Sequence, residues 1–124
     1  MNIIFVALGG AVGSVMRYLV NGYAQSTANG FPLGTLLVNV VGCFVIGFLS
    51  HLAEERGMFE DTTRAFMFVG ILGGFTTFSS FGNETLRLFR NDQLLSALTN
   101  VGANVILGLI AVWLGHMLAT LLWR

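Results

Sequence analysis

The segment Gly73-Gly74-Phe75-Thr76-Thr77-Phe78-Ser79-Ser80-Phe81 lies inside a stretch, residues 64–90, that is uncharged from Ala65 until Glu84. Two adjacent glycines followed by two β-branched threonines make a poor helical centre. Glycine costs about 1 kcal/mol relative to alanine in a helix, and threonine loses side-chain freedom there. The run therefore predicts a helix interrupted near its midpoint. If the stretch crosses a bilayer, the interruption strands backbone groups at mid-depth, which is tolerated only against protein or a cavity. Carbonyls ending the first half attract cations, and N–H groups opening the second attract anions. The competing reading is an unbroken glycine-rich helix whose hydroxyls bond back to their own carbonyls.

The rest of the chain supports the bilayer. Crossing the hydrocarbon core takes about 20 mostly apolar residues, and four segments qualify: residues 3–24, 33–53, 64–90 and 94–123. Of 124 residues, 55% are hydrophobic and 10% charged, none of them lysine. A water-soluble domain of this size needs far more charge to cover its surface. The length allows one domain, a single four-span unit. The apolar run at residues 3–16 resembles a secretory signal in length, but no basic residue precedes it and Arg17-Tyr18 follows it. It is expected to be a retained span. Net charge is zero, which gives no footing for a nucleic-acid partner.

The connections are short: polar residues 21–32 ending at Pro32, acidic residues 53–63, and the tight charged turn 87–93. With four spans, Arg56, Arg64 and Arg124 share one side while Arg17, Arg87 and Arg90 share the other. Arginine excess in short loops normally sets orientation. An even split gives no instruction, so insertion in both orientations is expected. An inverted copy then becomes the natural partner, in an antiparallel dimer. The alternative is a weak bias carried by loop length or the first span.

Polar residues inside the spans mark the candidate site. Phe75, Phe78 and Phe81 recur every third position, flanked by strips of Thr76, Ser79 and Asn83 and of Thr77, Ser80 and Glu84. A phenyl ring has a positive edge that can face an anion. Thr35 and Asn39 share a face of the second span, and Ser96, Asn100, Asn104 and Gly108 follow at steps of four in the fourth. Intramembrane amides serve as interhelical glue or as donors along a neutral ion path, and both readings stay open. Arg17 either snorkels to the interface or attracts anions in a vestibule. Glu84 is expected at a pore mouth. His51 and His116 stand apart in sequence near span ends, where a structural or interfacial role is expected rather than metal binding. Cys43 is expected to be a small packed residue. No paired carboxylates, Cys/His cluster, nucleophile–base set or phosphate loop supports an enzyme.

Three segments together resemble one known family. Residues 10–18 (GAVGSVMRY), 32–44 (PLGTLLVNVVGCF) and 73–81 (GGFTTFSSF) look like signatures of the Fluc (CrcB) fluoride channels, in order and across nearly the whole chain. The resemblance implies an all-α membrane protein of the bacterial inner membrane, with its third helix broken and two inverted subunits enclosing two fluoride pores. It implies passive export that relieves fluoride toxicity, and a structural sodium ion on the two-fold axis. By similarity, the backbone carbonyls of Gly73 and Thr76 would hold that sodium. Phe78 and Phe81 would offer ring edges to fluoride, Asn39 an amide, and Thr77 and Ser80 a polar track. Glu84 and Arg17 match a family acid and a family arginine. In the fourth span, Asn100 and Asn104 align where many members carry a tyrosine and a serine. Two other readings are a small multidrug-type exporter, which needs an acid in the first span where none is present, and a non-conducting half of a heterodimer.

Overall fold

The computed structural model of the chain describes residues 2–25 and 30–124. The middle of the polar connection expected at 21–32 lies outside the described residues. Helix α1 runs Asn2–Gln25. Helix α2, Leu33–Ser50, continues into a wider π-helical turn at His51–Glu55. Helix α3 occupies 61–75, opening as Asp61–Arg64, widening to π geometry over Ala65–Leu72 and closing at Gly73–Phe75. Helix α4 is Phe78–Arg90 and α5 is Leu94–Leu122. Four stretches are long and apolar enough to cross a membrane: Asn2–Ala24, Leu33–Glu55, Asp61–Arg90 and Leu94–Leu122. The molecule is an all-helical, multi-pass membrane protein.

The third span is broken. Thr76 (φ −86°, ψ 157°) and Thr77 (φ −151°, ψ 119°) are extended, halfway along the span. The two halves then take different partners: α3 packs along α1, and α4 packs along α5. An unbroken helix would have to leave one of these surfaces. The break is thus a change of packing partner as well as a weak point in propensity.

Close backbone approach holds the pairs together. A Cβ on Gly13 would collide with the Ile71 carbonyl oxygen. Between α2 and α5, a Cβ on Gly47 would strike the Val112 carbonyl and one on Gly115 the Phe44 carbonyl. In lipid, where burial of apolar surface gives no net drive, such contacts supply the association through dispersion. Outward, large apolar side chains lie open: Ile3, Tyr18, Leu95 and Trp113 are all exposed. A surface this apolar marks contact with lipid or with another protein. The α4–α5 turn is closed by Asp92 at φ 58°, a left-handed position that aspartate tolerates better than bulkier residues.

Candidate functional site

Helix α2 presents Thr35, Asn39 and Gly42 toward the broken span. Gly42 has no room for a side chain because Thr76 Cγ2 occupies the space. This brings Asn39 against the break. Its Oδ1 accepts from the Thr77 N–H at 2.9 Å, and its Nδ2 donates to the Thr77 carbonyl at 3.1 Å. One side chain therefore holds both backbone groups of an extended residue, as a β-strand neighbour would.

The rearrangement has a consequence for the carbonyls. In a continuous helix the Thr77 N–H would bond the Gly73 carbonyl, and the Ser80 N–H the Thr76 carbonyl. Here the first goes to Asn39 and the second to Thr77 Oγ1 at 3.2 Å, which caps α4. The carbonyls of Gly73 and Thr76 lose those helical donors. Thr76 turns its own hydroxyl back to the Leu72 carbonyl at 2.9 Å. Two main-chain oxygens at a helix C-terminus carry partial negative charge and suit a hard cation. Gly73 is exposed on this chain, so the donor set fits an ion held partly from outside it.

From Asn39 a chain of side-chain bonds runs into α5. Asn39 Nδ2 donates to Asn104 Oδ1 at 3.1 Å, and Asn104 Nδ2 donates to the Asn100 carbonyl at 2.8 Å and to its Oδ1 at 3.1 Å. Asn100 Nδ2 donates to Thr85 Oγ1 at 2.9 Å, and that hydroxyl donates to the Phe81 carbonyl at 2.7 Å. Asn100 is fully buried. The network ties α2, the break, α5 and α4 into one polar seam. Both hydrogens of the Asn39 amide are engaged, so an ion that meets this amide takes over one of its present partners.

Beside the seam lies an open groove of about 520 Å³, lined by Asn39, Gly73, Thr76, Phe78, Phe81 and Asn104 among others. Phe78 is 83% exposed and stacks at a tilt on Phe81, ring centroids 5.4 Å apart. The remaining expected residues divide. Thr35, fully buried, donates to Glu84 Oε1 at 2.8 Å, forming a second polar station between α2 and α4. Glu84 Oε2 is buried without a hydrogen-bond partner among the described residues. Ser80 sits over the α4 cap. Arg17, half-buried on α1, does not line the groove.

Two features escaped the sequence. Thr85 links α4 to α5, and its only signal was a position four residues after Phe81, continuing that face of the helix. His51 and His116, expected to stand apart, are brought together by α2–α5 packing, with rings edge to face at 5.0 Å. Their separation along the chain concealed this.

Comparison with known proteins agrees in extent with the architecture. The family described as CrcB-like protein, Camphor Resistance (CrcB), matches residues 4–116. A fluoride-specific ion channel FluC of Helicobacter pylori is 48% identical over 124 aligned residues, covering 96% of this chain and 95% of the relative. The fluoride-specific ion channel FluC 1 of Methanosarcina acetivorans is 40% identical over 118 residues, covering 95% of this chain and 90% of its own. A match that takes in all four spans and the break, with relatives of nearly the same length, means that the chain belongs to the CrcB family.

Proposed function

We propose that the chain is a passive, fluoride-selective channel subunit and not an enzyme, acting as an inverted homodimer with two pores. The observation that supports it most directly is the interrupted third span: Thr76 and Thr77 are extended at its centre, clamped by Asn39 and bordered by Phe78 and Phe81. Fluoride is small and strongly hydrated, so a pore must replace its water with hydrogen-bond donors and positive ring edges. A fixed positive charge would hold the ion too long for conduction. Asn39, Asn104, Thr77 and Ser80 supply amides and hydroxyls of that kind. Phe78 and Phe81 supply ring edges. Thr35, Asn100 and Glu84 continue the polar residues along the helix faces, and Arg17 offers attraction at an entrance.

The Gly73 and Thr76 carbonyls would hold a structural sodium ion, which would join the two inverted subunits on their two-fold axis. Two oxygens from one chain cannot fill a cation's shell. The same pair from a second copy brings the set to four. The residues themselves position the carbonyls through Asn39 and the Thr77 cap. Export follows from acid–base chemistry: hydrogen fluoride enters from an acidic medium as a neutral molecule, dissociates in the less acidic cytoplasm, and the anion leaves down its gradient.

The test is efflux from liposomes containing the purified chain alone, followed with fluoride and chloride electrodes. Rapid fluoride loss with chloride retained is expected. Equal leakage of both ions, or movement of neither, would overturn the reading.

A further inference from the structure

At the far end of the α2–α5 pair, away from the groove, three metal-binding side chains converge. The π-helical turn His51–Glu55 sets His51 Nδ1 3.0 Å from Glu55 Oε2. His116 of α5 approaches the other carboxylate oxygen, its Nε2 3.6 Å from Glu55 Oε1. The imidazoles meet at 88°. One donor atom from each of the three residues lies within 4.8 Å of the others. A dication bound at about 2.0–2.2 Å from each ligand needs its donors roughly 3–3.5 Å apart, so small side-chain rotations bring this set to a common centre. π-Helical turns recur at functional sites, and this one packs against α5.

We infer that His51, Glu55 and His116 form a binding site for a borderline transition-metal dication such as Zn²⁺, Co²⁺ or Ni²⁺. Two imidazole nitrogens and one carboxylate match that class, whereas calcium and magnesium require all-oxygen shells. Three protein ligands leave at least one position for water. Access is available: the side chains of Glu55 and His116 are 56% and 45% exposed, while His51 is 5% exposed and holds the inner position. Thr120 Oγ1, 3.5 Å from His51 Nδ1, adds a hydroxyl beside the site. His51 Nε2 is buried without a partner among the described residues. Metal on Nδ1 moves the ring proton to that nitrogen, so the site is a moderate binder and not a permanent structural centre. Because the ligands come from both helices, a bound ion clasps α2 to α5, the pair that sets Asn39 against Asn104.

The experiment uses the full chain in detergent, purified without a histidine tag and stripped with chelator, then titrated with Co²⁺ alone. Visible ligand-field bands that saturate at one ion per chain and are displaced by Zn²⁺ are expected. Zn²⁺ should also raise the melting temperature. Glu55→Gln, at an exposed position, and His116→Gln, at a half-buried one, should fold normally without metal. Each should weaken binding by at least about tenfold. Absence of the bands in folded protein, or unchanged affinity in both variants, would overturn the site and leave a histidine–glutamate hydrogen bond. Neither result bears on fluoride efflux, so the two readings stand or fall separately.

Discussion

Thr77 has its N–H and its C=O held by a single side chain from another helix. Removing Asn39 leaves both backbone groups of the buried Thr77 without these partners. Each such loss costs about 1–3 kcal/mol. Asn39→Ala is therefore expected to lower the melting temperature in detergent and to cut fluoride efflux by about tenfold or more, the factor that attaches to 1.4 kcal/mol. A variant with unchanged stability would show that the clamp is not what holds the break. The same logic applies at the other end of the seam. Thr85→Val removes the acceptor of the fully buried Asn100 amide and is expected to destabilise by about 1–3 kcal/mol. Thr85→Ser restores a hydroxyl and should recover most of that loss. If Val and Ser variants melt alike, the hydroxyl carries no bond of consequence.

Among the elements, glycine decides which helices touch. The α2–α5 contact has Gly47 under the Val112 carbonyl and Gly115 under the Phe44 carbonyl, with no space for a methyl group. Gly47→Ala must push backbone away from backbone, since neither partner is a flexible side chain. The expected result is a protein that melts lower and elutes as aggregate in size-exclusion chromatography. Gly22→Ala is the control: a Cβ there meets nothing within 4 Å, so stability should hold or rise slightly by helix propensity. Equal loss in both would mean that glycine acts through insertion or expression and not through packing. The elements also show what the sequence made legible. The break at Thr76–Thr77 was readable because its cause is local, two glycines and two threonines in a row. The clamp was not, because Asn39 and Thr77 are 38 positions apart and only helix rotation decides which residue of α2 faces the gap. Asn100 and Asn104 were visible as a stripe at steps of four. Their opposite fates, one enclosed and one at the groove, depend on where α4 lies, which periodicity does not encode. The histidine pair was hidden for the same reason.

For the whole molecule, the proposed second copy would cover the exposed surface around the break. Phe78 is 83% exposed and Gly73 is open, yet both border the groove that the proposed pore needs. Arginine placement then matters, because it governs whether an inverted copy is made at all: Arg56, Arg64 and Arg124 on one side balance Arg17, Arg87 and Arg90 on the other. Lys and Arg near span ends orient a chain, while acidic residues contribute little. Met58→Arg with Glu60→Arg, both at exposed positions, raises one side to five and should fix that side in the cytoplasm. Arg56→Gln with Arg124→Gln lowers it to one and should fix the opposite orientation. A carboxy-terminal fusion that reports only from the cytoplasm, paired with one that reports only from outside, should both give signal for the native chain and only one for each variant. Expressed singly, each variant lacks an inverted partner and should not release fluoride. Expressed together they restore both orientations, and efflux should return. A native chain that reports from one side only, or a singly oriented variant that conducts at the native rate, would remove the inverted dimer from the mechanism. The break would then belong to a pore built within one chain or between parallel copies.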